Sequence, residues 1–193
     1  MLGPQHPQVI TLRSDELQLV LHFAEQAAVG GVSHIRGEDR KSTLRDDQCV
    51  GQLGEAALSR YLSGNSVLYA LTRTARNLTP RQGDDGGDLR GTNIDVKCSV
   101  MRYAPDPLKY RLLVRPAELH AETVYVLALV APDWLRSREV TLVGWATRAD
   151  LPATPAHDGP FRGAYVLPAQ QLHPLPPVRW TPTSSDPPWI SAG

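Results

Sequence analysis

The chain has 193 residues, 41% hydrophobic and 21% charged, with 20 basic and 20 acidic side chains. This composition excludes a fibrous or wholly disordered chain and argues against a protein that coats nucleic acid by overall charge. A chain of this length buries roughly 70% of its unfolded surface, enough for one domain, or one domain with an appendage, without staples. Only two cysteines are present, Cys49 and Cys98, which excludes a disulfide scaffold and a zinc site built on several thiolates. No apolar run approaches the roughly 18 residues of a membrane span, and Met1 to Pro7 lacks the features of a secretion signal. The expectation is a cytoplasmic protein with reduced thiols and no membrane partner.

A first helix is expected over Asp15 to Val29. Ser14 stands as its N-cap, acidic residues follow in the first turn, and Leu17, Val20, Leu21, Ala24 and Ala28 recur at helical spacing. Gly30 and Gly31 stop it. The charged segment Ser33 to Lys41 has no period and reads as a loop. A second helix is expected over Thr43 to Leu62, capped by Ser42 and ended by Gly64. Its apolar face carries Val50, Leu53, Ala57, Leu58, Tyr61 and Leu62. Gly51 and Gly54 inside it cost roughly 1 kcal/mol each relative to alanine, which points to close packing or function.

The pattern then changes. Ser66 to Leu71 reads as a strand. Thr79 to Gly87 is a Gly-, Pro- and Asp-rich loop. Asp88 to Arg90, a turn at Gly91-Thr92-Asn93, and Ile94 to Val100 read as a β-hairpin. Short strands are expected at Leu112 to Val114 and Val140 to Ala146, with a short helix opening at Thr147. Thr123 to Ala131 is nearly all apolar, as in a strand covered on both faces. Ten of the 17 prolines fall between Pro152 and Pro188. The expected division is therefore a domain over residues 1–151, with its core roughly at 42–151. A Pro-rich extension, 152–193, would wrap extended over it, pinned by Phe161, Tyr165, Trp180 and Trp189.

The strand Ile94 to Val100 carries the chemistry. Alternation puts Ile94, Val96, Cys98 and Val100 on one face and Asp95, Lys97 and Ser99 on the other. Asp95 and Lys97, about 7 Å apart along the strand, reach a common point. The hairpin returns Asp88 beside Asp95. Two converging carboxylates make a hard-oxygen site for Mg²⁺ or Mn²⁺, and a neighbouring lysine can act on a water or a phosphate. Asp-x-Lys also occurs at Asp39-Arg40-Lys41, but in a charged segment with no strand pattern. The copy at Asp95 differs because it follows Asp88 and a helix bearing Glu55.

Glu55 on an early helix, Asp88 at a strand start and Asp95-Val96-Lys97 on the next strand together resemble the PD-(D/E)XK nucleases. The resemblance covers roughly Ser42 to Leu151, with Gly87 in place of the name-giving proline. It implies an α/β restriction-endonuclease-like fold, a mixed central sheet flanked by helices. It also implies hydrolysis of DNA phosphodiesters with Mg²⁺ or Mn²⁺. Asp88, Asp95 and the Val96 carbonyl would be metal ligands, Glu55 would serve a second metal or its water, and Lys97 would activate the attacking water. Gln52, Ser99, Arg102 and Lys109 are candidate substrate contacts. Further basic residues, from Arg73 to Arg115, stand nearby in sequence with Tyr103 and Tyr110 between them, a pattern suited to a phosphate backbone. Cutting both strands would suit a homodimer. The alternatives are a non-catalytic nucleic-acid-binding or assembly module on the same fold, and a nuclease for RNA or branched DNA. No H-x-x-x-H, G-x-S-x-G or phosphate-loop motif is present, which disfavours a zinc site, a serine hydrolase and an NTPase.

Overall fold

Strand β4, Val124–Val130, is buried along its whole length, and its side chains alternate between two apolar layers. Val124, Val126, Ala128 and Val130 join the layer beneath the helices, while Tyr125, Leu127 and Leu129 join a second core on the opposite face. The computed structural model describes residues 6–29, 44–78, 88–89, 92–120 and 123–176. Four strands form the main sheet in the order β1-β5-β4-β2: β1 Gln8–Thr11, β2 Ile94–Val100, β4 and β5 Glu139–Thr147. β1 and β4 run antiparallel to β5, and β2 runs parallel to β4. The chain is thus α/β with a mixed four-stranded sheet. β3, Arg111–Val114, pairs with β6, Tyr165–Pro168, as a separate two-stranded sheet whose Leu112, Val114 and Leu167 enter the second core.

Helices α1, Ser14–Val29, and α2, Leu44–Ser63, cover the first layer. The backbone N–H of Arg13 donates to Glu16 Oε2 at the start of α1, while Ser14, the expected cap, accepts from Arg138. Glu16 is buried and also accepts from Arg60 and Ser66, so one carboxylate ties α1 to the end of α2 and to the next turn. Gly64 ends α2 at φ 77°, where a left-handed backbone suits glycine, and its N–H returns to Arg60 O.

The expected strand at Ser66 to Leu71 is instead the start of a helix, α3, Val67–Leu78. Asn65 Oδ1 accepts from the Val67 N–H at 3.0 Å, and the helical spacing of Tyr69, Thr72 and Arg73 brings them inward. The five-residue apolar run Val67 to Leu71 fits either period, and the cap and inward contacts decide it. The first arm of the expected hairpin is a bend at Asp88 and Leu89, although Asp88 N–H does donate to Ile94 O at 2.6 Å. Gly30, Gly31, the Ser42 cap, the Thr79–Gly87 loop, Asp39-Arg40-Lys41, Trp180 and Trp189 lie outside the described residues. The Pro-rich segment supplies β6 and the core residues Leu167, Ala169 and Leu172. Phe161 lies under the Arg111 guanidinium and Tyr165 under that of Arg148.

Candidate functional site

β2 ends the strand order of the main sheet, so one of its edges turns away from β4. Asp88 lies along that edge. Its N–H donates to Ile94 O, and its Oδ2 accepts the Val96 N–H at 2.7 Å. In an extended strand the N–H and C=O of one residue point the same way, so the Val96 carbonyl lies on the edge that holds the Asp88 carboxylate. Leu89, fully buried, anchors the bend in the core beneath. Asp88 is therefore fixed by the backbone on both sides.

Asp95 and Lys97 project from the face of β2 opposite α2. Lys97 Nζ lies 2.9 Å from Asp95 Oδ2 and 3.1 Å from Glu118 Oε2. Glu118 carries no signature of the site in the sequence, yet its position follows from local chemistry. Arg115-Pro116-Ala117-Glu118 opens a short 3₁₀ turn with Pro at its first position, and Glu118 Oε2 also accepts the Arg115 N–H. Tyr125, opposite Asp95 in the parallel register, holds this turn in place. Its hydroxyl donates to Glu118 O and accepts from His120 N–H, both at 3.0 Å.

Burial, and after it the Asp88 charge, pushes the Asp95 carboxyl up to about 7, although Lys97 acts the other way. Burial alone would lower Lys97, but Asp95 and Glu118 outweigh it and hold the ammonium above its ordinary value. Lys97 in this pairing has no lone pair with which to take a proton. Its chemistry is that of a fixed positive charge and a hydrogen-bond donor.

Glu55 lies on the other side of β2. α2 is seated against the strand at Gly54, where a Cβ would stand 2.9 Å from both Cys98 Cβ and Val96 Cγ1. Glu55 is buried and its Oε1 pairs with Arg73 Nη2 from α3. Arg73 lies 6.0 Å from the Tyr69 ring, and Tyr69 donates to Gln52 Oε1 at 2.6 Å. Gln52 is 1% exposed, so this candidate substrate contact is a buried brace between α2 and α3. Arg73, one of the basic residues expected near a phosphate backbone, is occupied by Glu55 inside the protein. Ser99, Arg102 and Lys109 are exposed. Arg102 and Tyr103 border an open groove with Ala131 and Pro132 at the ends of β2 and β4. Tyr110 fixes that loop, its hydroxyl accepting from the Tyr103 and Ala104 N–H groups. Cys98, whose thiol burial pushes up to about 12, and the buried Cys49 are core residues.

The donor set fits a hard divalent cation in part. Asp88 and the Val96 carbonyl supply oxygens at the edge and Asp95 supplies them from the adjoining face, its carboxyl raised first by burial and then by the Asp88 charge. Among the described residues no three His, Cys, Asp or Glu side chains are grouped to hold an ion, and Glu55 is held by Arg73. No family model, curated protein or solved structure gives a significant match to this chain.

Proposed function

We propose that the chain is a metal-dependent nuclease with a restriction-endonuclease-like fold, hydrolysing phosphodiester bonds in DNA. The observation that supports this most is the seating of Asp88 on the Val96 amide, beside Asp95 and Lys97, at the edge of β2. Asp88, Asp95 and the Val96 carbonyl would hold Mg²⁺ or Mn²⁺. When bound, the ion supplies Lewis acidity, lowering the pKa of water and drawing charge from the phosphate. Asp95 must ionise to serve. Lys97, kept cationic by Asp95 and Glu118, orients the water and stabilises charge developing on the phosphate oxygens. Glu118 and Tyr125 position Lys97. A chain with one such site would cut both strands as a homodimer.

One observation favours a second reading, a nucleic-acid-binding module without catalysis. Glu55, Asp95 and Glu118 each already face a cation within the protein, as in a structural ion-pair network. Asp95→Asn separates the two. A nuclease loses Mg²⁺-dependent cleavage of plasmid and of oligonucleotides in single-stranded, duplex, branched and RNA forms. It keeps binding to the cleaved form when Ca²⁺ replaces Mg²⁺. Binding without cleavage of any form, by wild type and variant alike, selects the module.

A further inference from the structure

We infer that the site takes a single divalent cation and that Arg73 serves as the fixed positive charge in the place where Glu55 would otherwise help to hold a second. The inference rests on the metal-dependent reading above. Both members of the Glu55–Arg73 pair are largely inside the protein, with side-chain exposures of 6% and 14%. Arg73 is braced from two helices: α3 carries it, and it stands at the Tyr69 ring, whose hydroxyl is tied to Gln52 of α2. After Glu55 and Tyr69, the Asp88 charge also favours the cationic form of Arg73.

The two clusters are on opposite faces of β2. Glu55 comes from α2, which packs on the face of Ile94 and Val96, whereas Asp95 and Lys97 extend from the other face. Asp88 at the strand edge is the residue whose charge acts on both Arg73 and Asp95. A cation joining Glu55 to Asp88 would have to displace a buried guanidinium, leaving it without its counter-charge in a medium where unpaired charge is costly. A cation joining Asp88, Asp95 and the Val96 carbonyl shares Asp95 with Lys97, which keeps Glu118 as a second counter-charge, and leaves the Glu55–Arg73 pair intact. Glu55 is then a positioning residue: it fixes Arg73, and Arg73 neutralises the rear of the site.

Calorimetric titration of the full chain with Mn²⁺, without substrate, tests this, with Mn²⁺ electron paramagnetic resonance as an independent count. Wild type is expected to bind about one ion. Glu55→Gln, which keeps the shape of the side chain, should still bind about one, with Kd changed by less than about threefold. Asp95→Asn should weaken binding about 100-fold, in the range for groups that hold or support a metal. Arg73→Gln, shown to be folded by circular dichroism, should admit a second ion. Two ions in wild type, a tenfold or greater loss in Glu55→Gln, or a single ion in folded Arg73→Gln overturns the inference and leaves the metal-dependent reading standing. Should Arg73→Gln not fold, Glu55→Gln decides alone. No binding by folded wild type overturns both.

Discussion

Two glycines three residues apart in α2 should respond to alanine with opposite signs. Among the described residues beyond its own helix backbone, no heavy atom lies within 4 Å of where a Cβ at Gly51 would stand, so Gly51→Ala meets open space. It should stabilise the protein by about 1 kcal/mol, the difference in helix propensity. At Gly54 the same propensity gain is offset by a Cβ placed 2.9 Å from Cys98 Cβ, 2.9 Å from Val96 Cγ1 and 3.3 Å from Ala128 Cβ. Ordinary carbon contacts lie at roughly 3.5–4.0 Å, so α2 must lift from the sheet by several tenths of an ångström. Overpacking of this kind costs about 1–3 kcal/mol. After the propensity gain, Gly54→Ala should be destabilising by up to about 2 kcal/mol, and it should lie about 1–3 kcal/mol below Gly51→Ala. Urea denaturation followed by circular dichroism, with both variants beside wild type and m-values compared, measures this directly. The lift also moves Glu55 away from β2. Equal stabilisation by the two substitutions would refute the packing of α2 on Val96 and Cys98.

The Asp95 carboxyl, raised to about 7, makes cation binding pH-dependent: below that value Mn²⁺ affinity and cleavage rate should fall about tenfold per pH unit, measured by calorimetry and initial rates between pH 5 and 8. The same shift has a stability sign. The folded state holds this proton between roughly pH 4 and 7 and the unfolded state does not. The contribution of Asp95 is therefore present at low pH and lost as pH rises through about 7. Asp95→Asn removes that slope, so its stability relative to wild type should increase from pH 4 to pH 7 in urea titrations. Tyr125→Phe removes both hydrogen bonds that the Tyr125 hydroxyl makes to the Glu118 turn. It should cost about 1–2 kcal/mol in urea denaturation and lower the cleavage rate by loosening Lys97; unchanged stability would contradict the role given to this hydroxyl.

Strong periodic signals carried most of the fold. α1 and α2 were legible from one dominant helical period and capping chemistry, as at Gly64, and β4 from an unbroken apolar run of strand length. α3 was not, because its opening apolar run fits a strand as well as a helix, and the deciding contacts come from Asn65 and the α2 packing. β1 was missed: four residues give too little pattern to distinguish, and it exists through pairing with β5. At the site, alternation along β2 placed Asp95 and Lys97 on one face, and the short spacing to Asp88 placed that residue at the strand. Glu118 is 21 positions beyond Lys97, and no local spacing joins them; it arrives through the turn anchored by Tyr125. Arg73 was legible as a basic residue, but its pairing with Glu55 depends on α3 being a helix.

The most direct test of metal-dependent hydrolysis at this site is the cleavage of supercoiled plasmid, started with Mg²⁺ and stopped with EDTA, by wild type and Lys97→Met side by side. The variant keeps the aliphatic stem and removes the charge that Asp95 and Glu118 hold in place. The account predicts nicking or linearisation by wild type, none with EDTA, and a loss of at least about 100-fold in the variant, the scale for one well-placed electrostatic group. Equal cleavage by the two proteins, or cleavage that persists in EDTA, would contradict it.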